Sequence, residues 1–116
     1  MHEIRVKRIP SVNHYVKHAK GRHYKSKDVA EFERAVDMQL PRFLSCGGDS
    51  GKGIRLAIVF VLRKDFYRRD LDNMPKTFID RLAKFYGFND SRIAKIAMEK
   101  RLDKTLDHEK ILWRME

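Results

Sequence analysis

Ile54-Arg55-Leu56-Ala57-Ile58-Val59-Phe60-Val61-Leu62 is the stretch on which the fold turns. Side chains alternate across an extended chain, so Ile54, Leu56, Ile58, Phe60 and Leu62 share one face. Ala57, Val59 and Val61 make the opposite face nearly as apolar, the mark of a central strand. Toward the C-terminus, a polar segment, Arg63–Arg69, leads to a helix expected over Asn73–Tyr86, where Met74, Phe78, Leu82 and Phe85 form one stripe. Asp72 is placed to cap this helix, Pro75 falls in its first turn, and Gly87 is its natural stop. Asn89-Asp90-Ser91 reads as a turn, and Arg92–Arg101 as a strand with Ala94, Ile96 and Met98 on one face. Ile111, Trp113 and Met115 mark a last strand, with Trp113 in the core, and Leu102–His108 is short enough for a hairpin.

Toward the N-terminus lies the glycine-rich run Cys46-Gly47-Gly48-Asp49-Ser50-Gly51-Lys52-Gly53. It fails as a phosphate loop. Cys46 stands where the first glycine belongs, Gly53 where Ser or Thr is needed, and a strand follows instead of a helix. It is read as a connector, and no nucleotide cofactor is expected. Before it, Val29, Phe32, Val36 and Leu40 recur at helical spacing between Ser26, a helix-capping residue, and Pro41. Ile4, Val6 and Ile9 define a first strand over His2–Ile9. Ser11–Lys25 has no periodicity and reads as a long basic loop. The order is strand, helix, strand, helix, strand, strand. It predicts an α+β fold: a two-layer α/β sandwich with one mixed sheet and two main helices on one face, a single domain over residues 1–116.

The 116 residues hold 26 Lys and Arg against 16 Asp and Glu, a net charge of +10. A domain this basic tends to bind polyanions. The excess is concentrated: residues 1–27 carry eight Lys or Arg and a single Glu. Lys17, Lys20, Arg22 and Lys25 are expected to hold phosphates, with Tyr15 and Tyr24 packing on sugars or bases. The longest apolar run, Leu56–Leu62, is strand-sized, so no membrane span is expected. The N-terminus has no apolar signal region, which predicts a soluble cytoplasmic domain. The single cysteine, Cys46, excludes an internal disulfide and a cysteine-only zinc site. The histidines at 2, 14, 18, 23 and 108 make no recognisable zinc pattern.

Arg68-Arg69-Asp70-Leu71-Asp72-Asn73-Met74-Pro75-Lys76 carries the chemistry. In an extended segment Asp70 and Asp72 point the same way, and two converging carboxylates repel unless a cation lies between them. Mg²⁺ takes oxygen ligands of this kind, with water and phosphate oxygens completing its shell. Lys76 lies one helical turn after Asp72, where it balances charge on a phosphate. Arg68 and Arg69 are expected to hold flanking phosphates. Asp90 completes the set if its strand returns beside Ile54–Leu62. Each residue alone has a structural explanation, as a cap, a surface ion pair or a turn residue. Carboxylates gathered at one junction of a basic protein fit a nuclease, which needs both a polyanion-binding surface and metal-holding acids.

The segment Arg68–Lys76, with Ile79-Asp80, Leu82, Asn89-Asp90-Ser91-Arg92-Ile93 and Lys100, resembles the signature of the RusA family of Holliday junction resolvases. The opening Pro10-Ser11-Val12-Asn13-His14-Tyr15, with Gly21, Tyr24 and Ser26, is similar to that family's first loop. The resemblance implies a homodimeric endonuclease that uses Mg²⁺, with Mn²⁺ as a substitute, to cut four-way DNA junctions. It implies metal ligands at Asp70, Asp72 and Asp90, a catalytic cation at Lys76, support from Asn73 and a DNA contact at Asn13. Where the family often carries two consecutive acids, this chain has Asn89-Asp90. The implied setting is a prokaryotic cytoplasm or the host cell of a phage or virus. An apolar sheet edge or face around Ile111–Met115 is expected at the dimer interface. The alternatives are a related nuclease acting on forks, flaps or ends, and a non-catalytic module that binds branched DNA.

Overall fold

A computed structural model describes residues 1–11, 16–19, 22–25, 27–42 and 53–116, the two short segments 16–19 and 22–25 by their backbone alone. Six strands and two helices are described: β1 (His2–Val6), β2 (Val16–Ala19), β3 (Arg22–Lys25), α1 (Lys27–Gln39), β4 (Ile54–Leu62), α2 (Pro75–Tyr86), β5 (Ile93–Leu102) and β6 (Glu109–Met115). The main sheet has the order β1-β6-β4-β5. β6 runs antiparallel to both β1 and β4, while β4 and β5 are parallel and joined through α2. The expected α+β architecture, a mixed sheet with two helices, is present, and β4 is central as its two apolar faces require.

Both helices cover one face of the sheet. Leu56, Ile58, Phe60 and Leu62 of β4 meet Ile4 and Val6 of β1, Ile111 and Trp113 of β6, Phe32 and Val36 of α1, and Phe78 and Leu82 of α2. Each such side chain contributes about 1.5–3 kcal/mol by leaving water. Trp113 is fully buried, with its ring edge-on to Phe78 at a centroid distance of 5.9 Å. Arg81 of α2 ties the helices together, donating to Asp37 at 3.0 Å and to Glu33 at 3.1 Å, both on α1. Gly87 ends α2 in the left-handed conformation, φ 72°, and its N–H donates to the Ala83 carbonyl at 2.9 Å. At Gly53, φ 81°, an added Cβ would lie 2.7 Å from the Ala94 Cβ, so the glycine permits the close approach of β4 to β5.

Several local expectations are corrected. β5 and β6 do not form a hairpin; β6 inserts between β4 and β1. A hairpin would have left Ile111 and Trp113 at the sheet's edge, whereas insertion buries both completely beneath the helices. For the same reason Ile111–Met115 is not an open edge for a second subunit. The edges are β1 and the largely exposed β5, whose Lys95 and Arg101 discourage further strand pairing. The basic segment is not loop throughout, since β2 and β3 pair antiparallel with His18 opposite His23. Asp72 does not cap α2. The helix starts at Pro75 behind Met74, with no side-chain cap; proline brings no N–H that needs one. Ser26 and the glycine-rich run as far as Lys52 lie outside the described residues. No helix among the described residues is long and apolar enough to cross a membrane.

Candidate active site

The Asp70-Leu71-Asp72 segment is not extended, as alternation predicted, but turns. Asp70 has extended angles (φ −70°, ψ 131°) and opens a 3₁₀ turn over Leu71–Asn73. The Asn73 N–H donates to the Asp70 carbonyl at 3.1 Å, and Leu71 packs against the core. The apolar residue thus goes inward and both acids stay exposed. The Asn73 side chain reaches back to the Asp70 carboxylate, Nδ2 to Oδ2 at 3.5 Å, at the limit of a hydrogen bond.

Asp90 opens a second 3₁₀ turn, Asp90–Arg92, at the entrance to β5. That strand does return beside β4. Asn89 shapes the turn: its side-chain oxygen accepts from the Ser91 N–H at 3.0 Å. The residue preceding Asp90 therefore acts as a local cap, a task suited to Asn.

Lys76, in the first turn of α2, links the elements. Its ammonium lies 3.1 Å from Asp80 Oδ1 and 4.0 Å from Asp90 Oδ2. Asp80, one turn along α2, also lines a groove with Thr77, Lys84, Asn89 and Asp90. The structure therefore brings Lys76 to Asp90, and Asn73 to Asp70. Among the described residues, no group of three His, Cys, Asp or Glu side chains is arranged to hold a metal ion. The exposed carboxylates suit a hard cation that completes its shell with water and phosphate oxygens rather than one enclosed by protein.

Arg68 is exposed, open to a phosphate, beside Tyr67, whose side chain is 92% exposed. Arg69, also expected to hold a phosphate, is turned inward here onto protein groups. It is 5% exposed and makes a two-pronged ion pair with Glu109, 1% exposed, at 2.6 and 2.8 Å. Its guanidinium also donates to the Ile9 carbonyl at 2.5 Å. The planar fork of Arg matches a carboxylate in this way, and the match removes it from the surface. Glu109 further accepts from the N–H of Ile9 at 2.9 Å and of Arg63 at 3.0 Å. Burial acts to raise its pKa, but the hydrogen bonds from Arg69, Ile9 and Arg63 prevail and hold the carboxyl below the ordinary glutamate range.

Glu109 has no part in the sequence reading, and Lys100 enters it solely through the family resemblance, with no role assigned. Lys100 Nζ donates to the carbonyls of Phe66 and Arg69 at 2.7 and 2.9 Å and lies 4.4 Å from the Phe66 ring centroid. Charge at core-side positions of two strands was the available signal. Of the basic residues expected at DNA, Lys17, Arg22 and Lys25 fall on β2 and β3, while Asn13, Tyr15 and Lys20 lie outside the described residues.

A family model described as Endodeoxyribonuclease RusA matches residues 6–109, a span reaching from the end of β1 to Glu109. The chain belongs to the RusA family. No match to a curated protein was found. As a member of the RusA family the chain is an endodeoxyribonuclease, a hydrolase of DNA phosphodiester bonds. The family association is with Holliday junctions and recombination, and RusA nucleases generally depend on a divalent metal. The exposed Asp70, Asp72, Asp90 and Lys76 lie within the matched span.

Proposed function

We propose that this RusA endonuclease resolves Holliday junctions by paired, Mg²⁺-dependent phosphodiester hydrolysis, acting as a homodimer in the cytoplasm of a prokaryotic cell or a virus-infected host. The supporting observation is the Lys76 ammonium 4.0 Å from Asp90, in a helix that begins just after the Asp70–Asn73 turn. Asp70, Asp72 and Asp90 are the residues that would hold the metal, with Mn²⁺ as a substitute. When bound, a divalent ion polarises the phosphate and favours ionisation of an attacking water. Asn73 restrains the Asp70 carboxylate. Lys76 places a positive charge where negative charge grows on the phosphate. Asp80 and Asp90 lie beside that half-exposed ammonium and favour its turning toward the site. Arg68 and the basic residues of β2 and β3 bind phosphates on either side and set the strand's path.

Pairing of cuts follows from symmetry. A four-way junction presents two equivalent strands, and a two-fold dimer presents two equivalent sites. Cleavage of a synthetic four-way junction, with and without Mg²⁺, tests the reading: symmetric nicks only with the ion are expected. Faster cutting of forks or flaps would favour the related-nuclease alternative, and binding without any cut a non-catalytic module. Sedimentation at micromolar concentration is expected to give a dimer; a strict monomer, free and on a junction, would remove the basis for paired nicking.

A further inference from the structure

Arg69 is gripped at both ends. Glu109 and the Ile9 carbonyl hold its guanidinium, and Lys100 holds its carbonyl oxygen. That carbonyl belongs to the peptide group from which Asp70 departs. A peptide group is planar, so fixing its oxygen and the preceding side chain leaves the next residue little freedom of direction. Asp70 itself is exposed, and among the described residues the long contact with Asn73 is what restrains its carboxylate.

The placement of Lys100 needs this explanation. It stands opposite Phe60 in the β4–β5 register, at a position whose neighbours on that face are Met98 and Leu102. An apolar residue would satisfy the strand pattern there. A half-buried ammonium is instead spent on two backbone carbonyls of the loop that ends at Asp70. Glu109 likewise occupies the first position of β6, nearly fully buried, and gathers Ile9, Arg63 and Arg69 around one carboxylate.

We propose that Lys100 and Glu109 are positioning residues that fix the direction of Asp70 through Arg69. The inference rests on the reading of Asp70 as a metal ligand. Groups that orient a ligand without touching the metal typically matter by about 10–100-fold in affinity or activity.

The test uses the full chain. Lys100→Met keeps the aliphatic stem and removes the ammonium. Its Mn²⁺ affinity, read on the free protein by electron paramagnetic resonance, is expected to fall about 10–100-fold. The Mn²⁺ needed for half-maximal junction cleavage rises in parallel, and Lys100→Arg recovers part of the loss. Glu109→Gln moves Mn²⁺ affinity the same way. Junction binding without metal keeps its salt dependence. Melting curves establish that each variant is folded, with Lys100→Gln in reserve if the methionine variant is not. Unchanged Mn²⁺ affinity in the folded Lys100 variant overturns the positioning role; if Asp70→Asn still loses Mn²⁺, the metal reading stands. If Asp70→Asn binds Mn²⁺ like the wild type, the metal reading fails and this inference with it. A log–log salt slope shallower by about 0.9, with Mn²⁺ affinity intact, would make Lys100 a phosphate-binding residue instead.

Discussion

Arg69 with Glu109, and Lys76 with Asp80 and Asp90, are charge groupings of similar composition and opposite character. The first is sealed: both side chains are at most 5% exposed, and Glu109 takes backbone donors from two further segments. The second is open, with side-chain exposures of 55% for Lys76 and 52% for Asp90. A buried pair must satisfy nearly every donor and acceptor, or its desolvation outweighs its attraction. An exposed pair is weak and easily exchanged for another partner. On the proposed reading the contrast separates scaffold from chemistry within one short stretch, for Arg69 and Asp70 are consecutive residues. One fastens the loop and the other faces the solvent.

The comparison is most sharply tested by charge removal on the open side. Asp70→Asn or Asp72→Asn is expected to reduce junction cleavage to background while leaving the melting temperature near wild type. Junction binding in the same variants persists or tightens, since each adds one to the net charge. Wild-type cutting rates in both would end the assignment of these acids to the metal. On the sealed side, Glu109→Ala strands a buried guanidinium and is expected to cost about 3–5 kcal/mol in urea unfolding. A loss under about 1 kcal/mol would mean that water already reaches the pair.

A third variant set addresses binding alone. Neutralising Lys17, Lys20, Arg22 and Lys25 together is expected to weaken junction binding broadly and to flatten its salt dependence, by about 0.9 in log–log slope for each phosphate that is no longer neutralised. An unaltered slope would place this basic segment away from DNA. The smallest expected effect is on the acid limb of stability. The Glu109 carboxyl is held below its ordinary range, so the unfolded chain takes up a proton first as pH falls. Its contribution is fully present above the unfolded value of about 4.3 and is lost as pH falls through the lower folded value. The stability gap between wild type and Glu109→Gln should therefore narrow below about pH 4. A gap that widens on acidification would contradict the sign.

The parts of the molecule legible in its sequence are those governed by local periodicity. β4 announces itself through two apolar faces, and α2 through the stripe of Phe78 and Leu82 closed by Gly87. The acids at 70, 72 and 90 stand out in a basic chain, and the structure leaves all three exposed. What was not legible depends on distant partners. Arg69 looks like its exposed neighbour Arg68, and only Glu109, forty positions away, distinguishes them. The place of β6 is likewise absent from local pattern, since an apolar strand reads the same in a hairpin or inserted between two others. The alternation of Asp70-Leu71-Asp72 suggested an extended run, whereas a 3₁₀ turn also sends the middle residue inward and leaves both acids outside.

The insertion of β6 also orders the life of the chain on the ribosome. Among the described strands β1 pairs with β6 alone, His2 lying opposite Trp113, so β1 waits for a strand made long after it. β4, α2 and β5 are contiguous and can associate as they emerge, but pairings that span the chain close slowly. Glu109 arrives with that same late strand, so the Arg69 guanidinium lacks its carboxylate partner until Glu109 has been made. A nascent chain stalled at Leu102 thus carries the acids proposed for the metal site, together with Lys100, but not the carboxylate that anchors Arg69.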